Sequence, residues 1–268
     1  FNVNDNFNTV FVNTSRPRLA ILREQGVNGH LEMAAAFDQV GFTCVDVHMN
    51  DLNNGDFSLQ DFIGIVACGG FSYGDVLGAG RGWSNAIQFN NRLRDEFAAF
   101  FERSDSFGLG VCNGCQMLAS LSDMIPGGDL WPEFTRNISE QFEARIVMVE
   151  VQDTPSVFFS GMQGSRFPVV VAHGEGRAVF TQKRGLTESI DCLRYIDNYG
   201  NHTEKYPGNP NGSVSGVTGF TSTDGRFTIM MPHPERCFRA VQNTWRTAGL
   251  SINGPWSRFF QNAREWVA

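Results

Sequence analysis

Cys112 stands one residue beyond a short apolar run, Phe107-Gly108-Leu109-Gly110-Val111, and is followed by Asn113-Gly114 and an apolar stretch with helical spacing. This order predicts a strand, a sharp elbow and a helix, which lifts the cysteine off the edge of a sheet. At that position the helix N-terminus favours a thiolate, and backbone N–H groups are free to hold an oxyanion. The chemistry permitted is acyl transfer through a cysteine nucleophile. Late in the chain, Met231-Pro232-His233-Pro234-Glu235-Arg236 supplies the other groups such a reaction needs. Prolines on both sides restrict the His233 backbone, and Glu235 can hold the imidazole tautomer while the other ring nitrogen faces the thiol. A third stretch, Cys68-Gly69-Gly70-Phe71-Ser72-Tyr73-Gly74-Asp75, has paired glycines that let an N–H point at a ligand with no Cβ in the way. One such N–H, with that of Asn113, would make an oxyanion hole.

Bringing these three loops together is the work of the elements between them. The pattern predicts strands over 18–22, 43–47, 63–67 and 107–111. It interleaves helices over 29–40, closed by Gly41, over about 83–103, and from Gln116 onward. Parallel strands with crossover helices are the economical arrangement, and ligands then sit at the carboxyl ends of the strands. From residue 142 strands dominate, over 142–151, 167–172, 193–196, 217–222 and 226–231 around the Asp224-Gly225 turn. A final amphipathic helix over 255–267 carries Trp256, Phe259, Phe260 and Trp266 on one face. The fold class is therefore α/β, a mostly parallel doubly wound sheet with flanking helices plus a strand-rich C-terminal part. Residues 1–17, rich in Asn and Thr, read as a linker before a domain over 18–268, and a start inside a linker with no Met suggests a piece of something larger.

With 268 residues, 41% of them hydrophobic, the chain can bury a substantial core. A net charge of −7 and the absence of a basic stretch argue against a nucleic-acid footprint. Neither a run of eighteen apolar residues nor a signal peptide is visible, so a cytoplasmic location is expected. Cys44, Cys68, Cys192 and Cys237 read as small buried hydrophobes. Cys112 with Cys115 also matches a C-x-x-C redox pair, but without its usual neighbours. His173-Gly174-Glu175-Gly176-Arg177 could offer metal ligands, yet no second histidine stands at ligand spacing, and no metal is expected. No phosphate-binding G-x-x-x-x-G-K-[ST] occurs, so no ATP site is expected within the chain. A redox or repair factor built on the same cysteine elbow is the competing reading, and the late His-x-Glu pair argues against it.

Six collinear stretches carry a resemblance. They are 18–29, 68–75, Gly110-Val-Cys-Asn-Gly-Cys-Gln-Met-Leu118, 130–137, His173-Gly-Glu-Gly176 and Met231-Pro-His-Pro-Glu-Arg236. The chain resembles a class I (triad) glutamine amidotransferase with a flavodoxin-like glutaminase fold. More closely, it is similar to the C-terminal glutaminase domain of large-type phosphoribosylformylglycinamidine synthases. The resemblance implies Cys112 as nucleophile, His233 as base and Glu235 as the group orienting it. It also implies the Gly70 and Asn113 N–H groups as oxyanion donors, and Gln116, Glu175 and Gly176 beside glutamine. It implies no cofactor in this chain, ATP and Mg in a synthetase domain in cis, and ammonia passed to that partner. Contact with the partner is expected to act on the Gly69-Gly70 peptide.

Overall fold

The computed structural model describes residues 15–180, 185–244 and 252–268. In chain order the first half holds β1 (Arg18–Arg23), α1 (His30–Gln39), β2 (Thr43–His48), α2 (Met49–Asn54), β3 (Gly64–Ala67), α3 (Arg81–Gln88), α4 (Asn91–Glu102), β4 (Phe107–Val111) and α5 (Asn113–Ser120). The second half holds β5 (Glu133–Thr135), β6 (Glu143–Val151), β7 (Arg166–His173), β8 (Arg177–Val179), β9 (Ile190–Ile196), β10 (Val217–Thr221), β11 (Phe227–Met230) and α6 (Ser257–Trp266). Nine strands form one sheet in the order β2-β1-β3-β4-β11-β10-β9-β6-β7, and β5 pairs separately with β8.

Pairing is parallel from β2 through β11 and antiparallel from β11 through β7. The strand-rich C-terminal part is thus a continuation of the same sheet. Burial follows from this division. Every residue of β3 and β4 is buried, as covered parallel strands require, whereas β7 alternates. The expected helix over 83–103 is two helices. Asn90 is extended (φ −106°, ψ 110°), and its side chain accepts the Arg92 and Leu93 N–H groups at 3.1 and 3.3 Å, so a new helix starts there. The helix expected from Gln116 begins three residues earlier, directly after Cys112.

One aromatic cluster joins the layers. Phe259 stacks on Phe158 with ring centroids 4.8 Å apart, and Trp256 meets Phe167 edge-on at 4.8 Å. Trp256, Phe259 and Phe260 are fully buried, while Trp266, expected on the same face, is 37% exposed and touches Phe107 only by its edge.

Candidate active site

Cys112 occupies the elbow between β4 and α5 with φ 53° and ψ −109°, a region that side-chain-bearing residues seldom enter. Its N–H donates to the Met230 carbonyl at 2.9 Å, which ties the elbow to the end of β11. Gly114 lets α5 come down on the neighbouring strand, since a Cβ there would lie 2.0 Å from the Ala67 carbonyl oxygen. The Asn113 side chain accepts from the Ser72 N–H at 3.3 Å and donates to Asp75 Oδ1 at 3.0 Å. The elbow helix is thereby stitched to the loop after β3.

The three loops singled out in the sequence converge. A Cβ placed on Gly69 would lie 2.7 Å from His233 Cε1 and 3.4 Å from Cys112 Cβ. The Gly69 carbonyl accepts the N–H groups of Asn28 and Gly29 at 3.2 and 3.0 Å. The C=O and N–H of a trans peptide point in opposite directions, so the Gly70 N–H is turned away from that loop. Gly70 itself has φ 154°, and a side chain there would run into Val27 Cα at 2.5 Å. The expected flip of this peptide would break both bonds to its carbonyl.

His233 and Glu235 are both buried, and His233 Nδ1 lies 2.6 Å from Glu235 Oε1. The His233 N–H donates to the Val170 carbonyl, so the edge strand β7 curls back over the end of β11. The same curl brings the Ala172 carbonyl 3.6 Å from Cys112 Sγ. Burial works against the His233 proton. The charge of Glu235 and the neighbouring Cys112 sulfur overcome it and raise the pKa to about 10. Nε2 has no hydrogen-bond partner of its own. His173 is the opposite case. It is buried with both ring nitrogens unpartnered, and burial, assisted by the charge of His233, lowers its pKa to about 3.

A cavity of about 110 Å³ opens beside the sulfur, lined by Gly70, Asp75, Cys112, Gln116, His173 and Glu175 among others. Gln116 Nε2 donates to the Glu175 carbonyl at 2.5 Å, and Glu175 Oε2 accepts the Ala79 N–H at 3.1 Å. Gly176 does not line this cavity. It packs behind the His173 ring, where a Cβ would lie 2.3 Å from Nε2, because its N–H is taken by Asn137 Oδ1 at 3.0 Å. Sequence reasoning left Asp75 and His173 without a part in the site, although both fall inside stretches it had marked. Burial, and then the charge of Glu175, raise the Asp75 pKa against the pull of its bond to Asn113. Cys115 is fully buried, and burial pushes its thiol well up, which keeps it a neutral core residue.

The sequence profile of a family described as a CobB/CobQ-like glutamine amidotransferase domain matches residues 16–267. Among solved structures, PurLQS from Thermotoga maritima aligns with a TM-score of 0.70 at 24% identity, over 94% of this chain and 100% of that one. A putative GMP synthase subunit from Thermoplasma acidophilum aligns at 0.55 with 13% identity, over 95% of each chain. A glutamine amido transferase from Methylobacillus flagellatus aligns at 0.51 with 12% identity, over 94% of each. At these identities the structural likeness speaks to the fold.

Proposed function

The chain belongs to the CobB/CobQ-like glutamine amidotransferase domain family, and on that premise we propose that it hydrolyses glutamine through a Cys112 thioester and supplies the ammonia to an ATP-dependent synthetase. The observation that carries this reading is the elbow geometry of Cys112 beside a His233–Glu235 pair bonded at 2.6 Å. A histidine that keeps its proton through neutral pH is the partner a thiolate nucleophile needs. Sulfur attack on the side-chain carboxamide gives a tetrahedral oxyanion. The N–H groups of Gly70 and Asn113 receive it, each worth about 3 kcal/mol of barrier. His233 gives its proton to the departing ammonia, then takes one from the water that cleaves the thioester and releases glutamate. Glu235 holds the imidazole in the orientation both transfers require. Asp75 and Glu175 on the cavity wall suit the ammonium group of an amino-acid substrate, with Gln116 fixing the wall between them.

The synthetase we assign as partner is the one that makes formylglycinamidine ribonucleotide in purine biosynthesis, joined in cis on a longer chain and carrying the ATP and Mg. Support comes from the six collinear sequence stretches, and the fold likeness to PurLQS is in keeping with it. A redox or repair factor would have no use for a bonded His233–Glu235 pair. The test is glutamine turnover by this chain alone and with the synthetase region loaded with its nucleotides. Slow release of glutamate alone and a much higher kcat/KM in the loaded enzyme are expected. No thioester and no glutamate under either condition would end the proposal.

A further inference from the structure

The stretch 18–29, with the first turn of α1 that follows it, and Arg236 have no part in the reaction as described, yet they meet. Arg236 Nε donates to Glu32 Oε1 at 2.8 Å, bridging the turn after His233 to the first turn of α1. The same nitrogen lies 4.0 Å from Glu235 Oε1. Glu235 is fully buried, its Oε1 is taken up by His233, and its Oε2 has no partner. A carboxylate in that position is costly without a cation close by, and a guanidinium fixed by a second carboxylate supplies one in a set orientation. The backbone just before this helix turn also holds the Gly69 carbonyl, so one segment braces both the oxyanion peptide and the acid of the triad.

We propose that Arg236, fixed by Glu32, is a positioning residue: its guanidinium is the countercharge that holds the Glu235 carboxylate directed at His233 and adds positive potential at Cys112. This rests on the reading of Cys112, His233 and Glu235 as the reacting groups. The charged and titratable groups around it are His233, Glu235 and Cys237 on its own turn, Glu32 from α1, Cys68 after β3, Cys112 at the elbow and His173 from β7. Burial pushes the Cys68 and Cys237 thiols up and lowers His173 to about 3, so all three are neutral at pH 7. Loss of a cation makes every proton of the Cys112–His233 pair harder to remove, so both limbs of its titration move to higher pH. Loosened orientation of His233 would instead move the limbs in opposite directions.

The experiment is the rate of Cys112 alkylation by iodoacetamide from pH 5 to 11, read by peptide mass spectrometry, for wild type, R236M and R236K. Both limbs should rise by about one pH unit in R236M, and R236K should stay close to wild type. R236Q is a second neutral variant if the methionine protein does not fold. Limbs that stay put, or that approach each other, would overturn the proposal. Alkylation needs no glutamine turnover. A wild type that shows both limbs but never cleaves glutamine would therefore sink the proposed function and leave this inference standing.

Discussion

Replacing Cys112 with glycine should leave a more stable protein than replacing it with alanine, the reverse of the usual order. Both variants lose the sulfur, so their difference isolates the backbone. At φ 53° and ψ −109° the residue sits near the mirror image of the first corner of a type II turn, a position that glycine alone takes without strain. Holding a Cβ there costs about 3 kcal/mol, the upper part of the range for sparsely populated backbone. Against this, glycine forfeits about 1 kcal/mol to the entropy of the unfolded chain and about 0.8 kcal/mol for the missing buried methyl group. The balance favours glycine by about 1 kcal/mol, equivalent to roughly 2–4 °C in Tm for a domain of this size. Chemical denaturation of C112A and C112G, with m-values compared, measures it directly. An alanine variant as stable as the glycine variant would mean that the elbow stores no strain.

His233→Ala should abolish thioester formation in single-turnover experiments, whereas Glu235→Gln should retain a measurable fraction, since orienting the base is a smaller effect than supplying it. Wild-type rates in His233→Ala would remove the histidine from the chemistry. The buried His173 binds its proton only near pH 3 when folded but at about 6.5 when unfolded, so its contribution to stability is complete above pH 6.5 and is lost as pH falls toward 3. Between those limits stability should fall more steeply in wild type than in His173→Gln, by up to about 1.4 kcal/mol per pH unit. Equal slopes in urea unfolding would contradict it.

Much of the parallel half of the sheet was legible because β3 and β4 are short, wholly buried apolar runs, and the loops that follow them hold the reactive types. Phe89 hid the break between α3 and α4. It keeps an apolar period across the gap although it is 83% exposed, and the decision lies with the cap at Asn90. The curl of β7 onto His233 depends on antiparallel register and accumulated twist, neither of which a period-two pattern encodes. With that curl unseen, nothing in the sequence set the buried, neutral His173 beside His233. Arg236 lay beside Glu235 in the sequence, but its bond to Glu32 spans 204 residues and no local signal marks it.

The most direct test of the account is the identity of the cysteine that a glutamine-analogue electrophile modifies, found by peptide mass spectrometry on wild type, Cys112→Ala and Cys115→Ala. Cys112 should carry the label in wild type and in Cys115→Ala at similar rates, with none taken up by Cys112→Ala. Cys115 sits in the core with its thiol held neutral and should stay unmodified throughout. A label on Cys115 with Cys112 untouched would contradict the assignment of the nucleophile and the mechanism built on it.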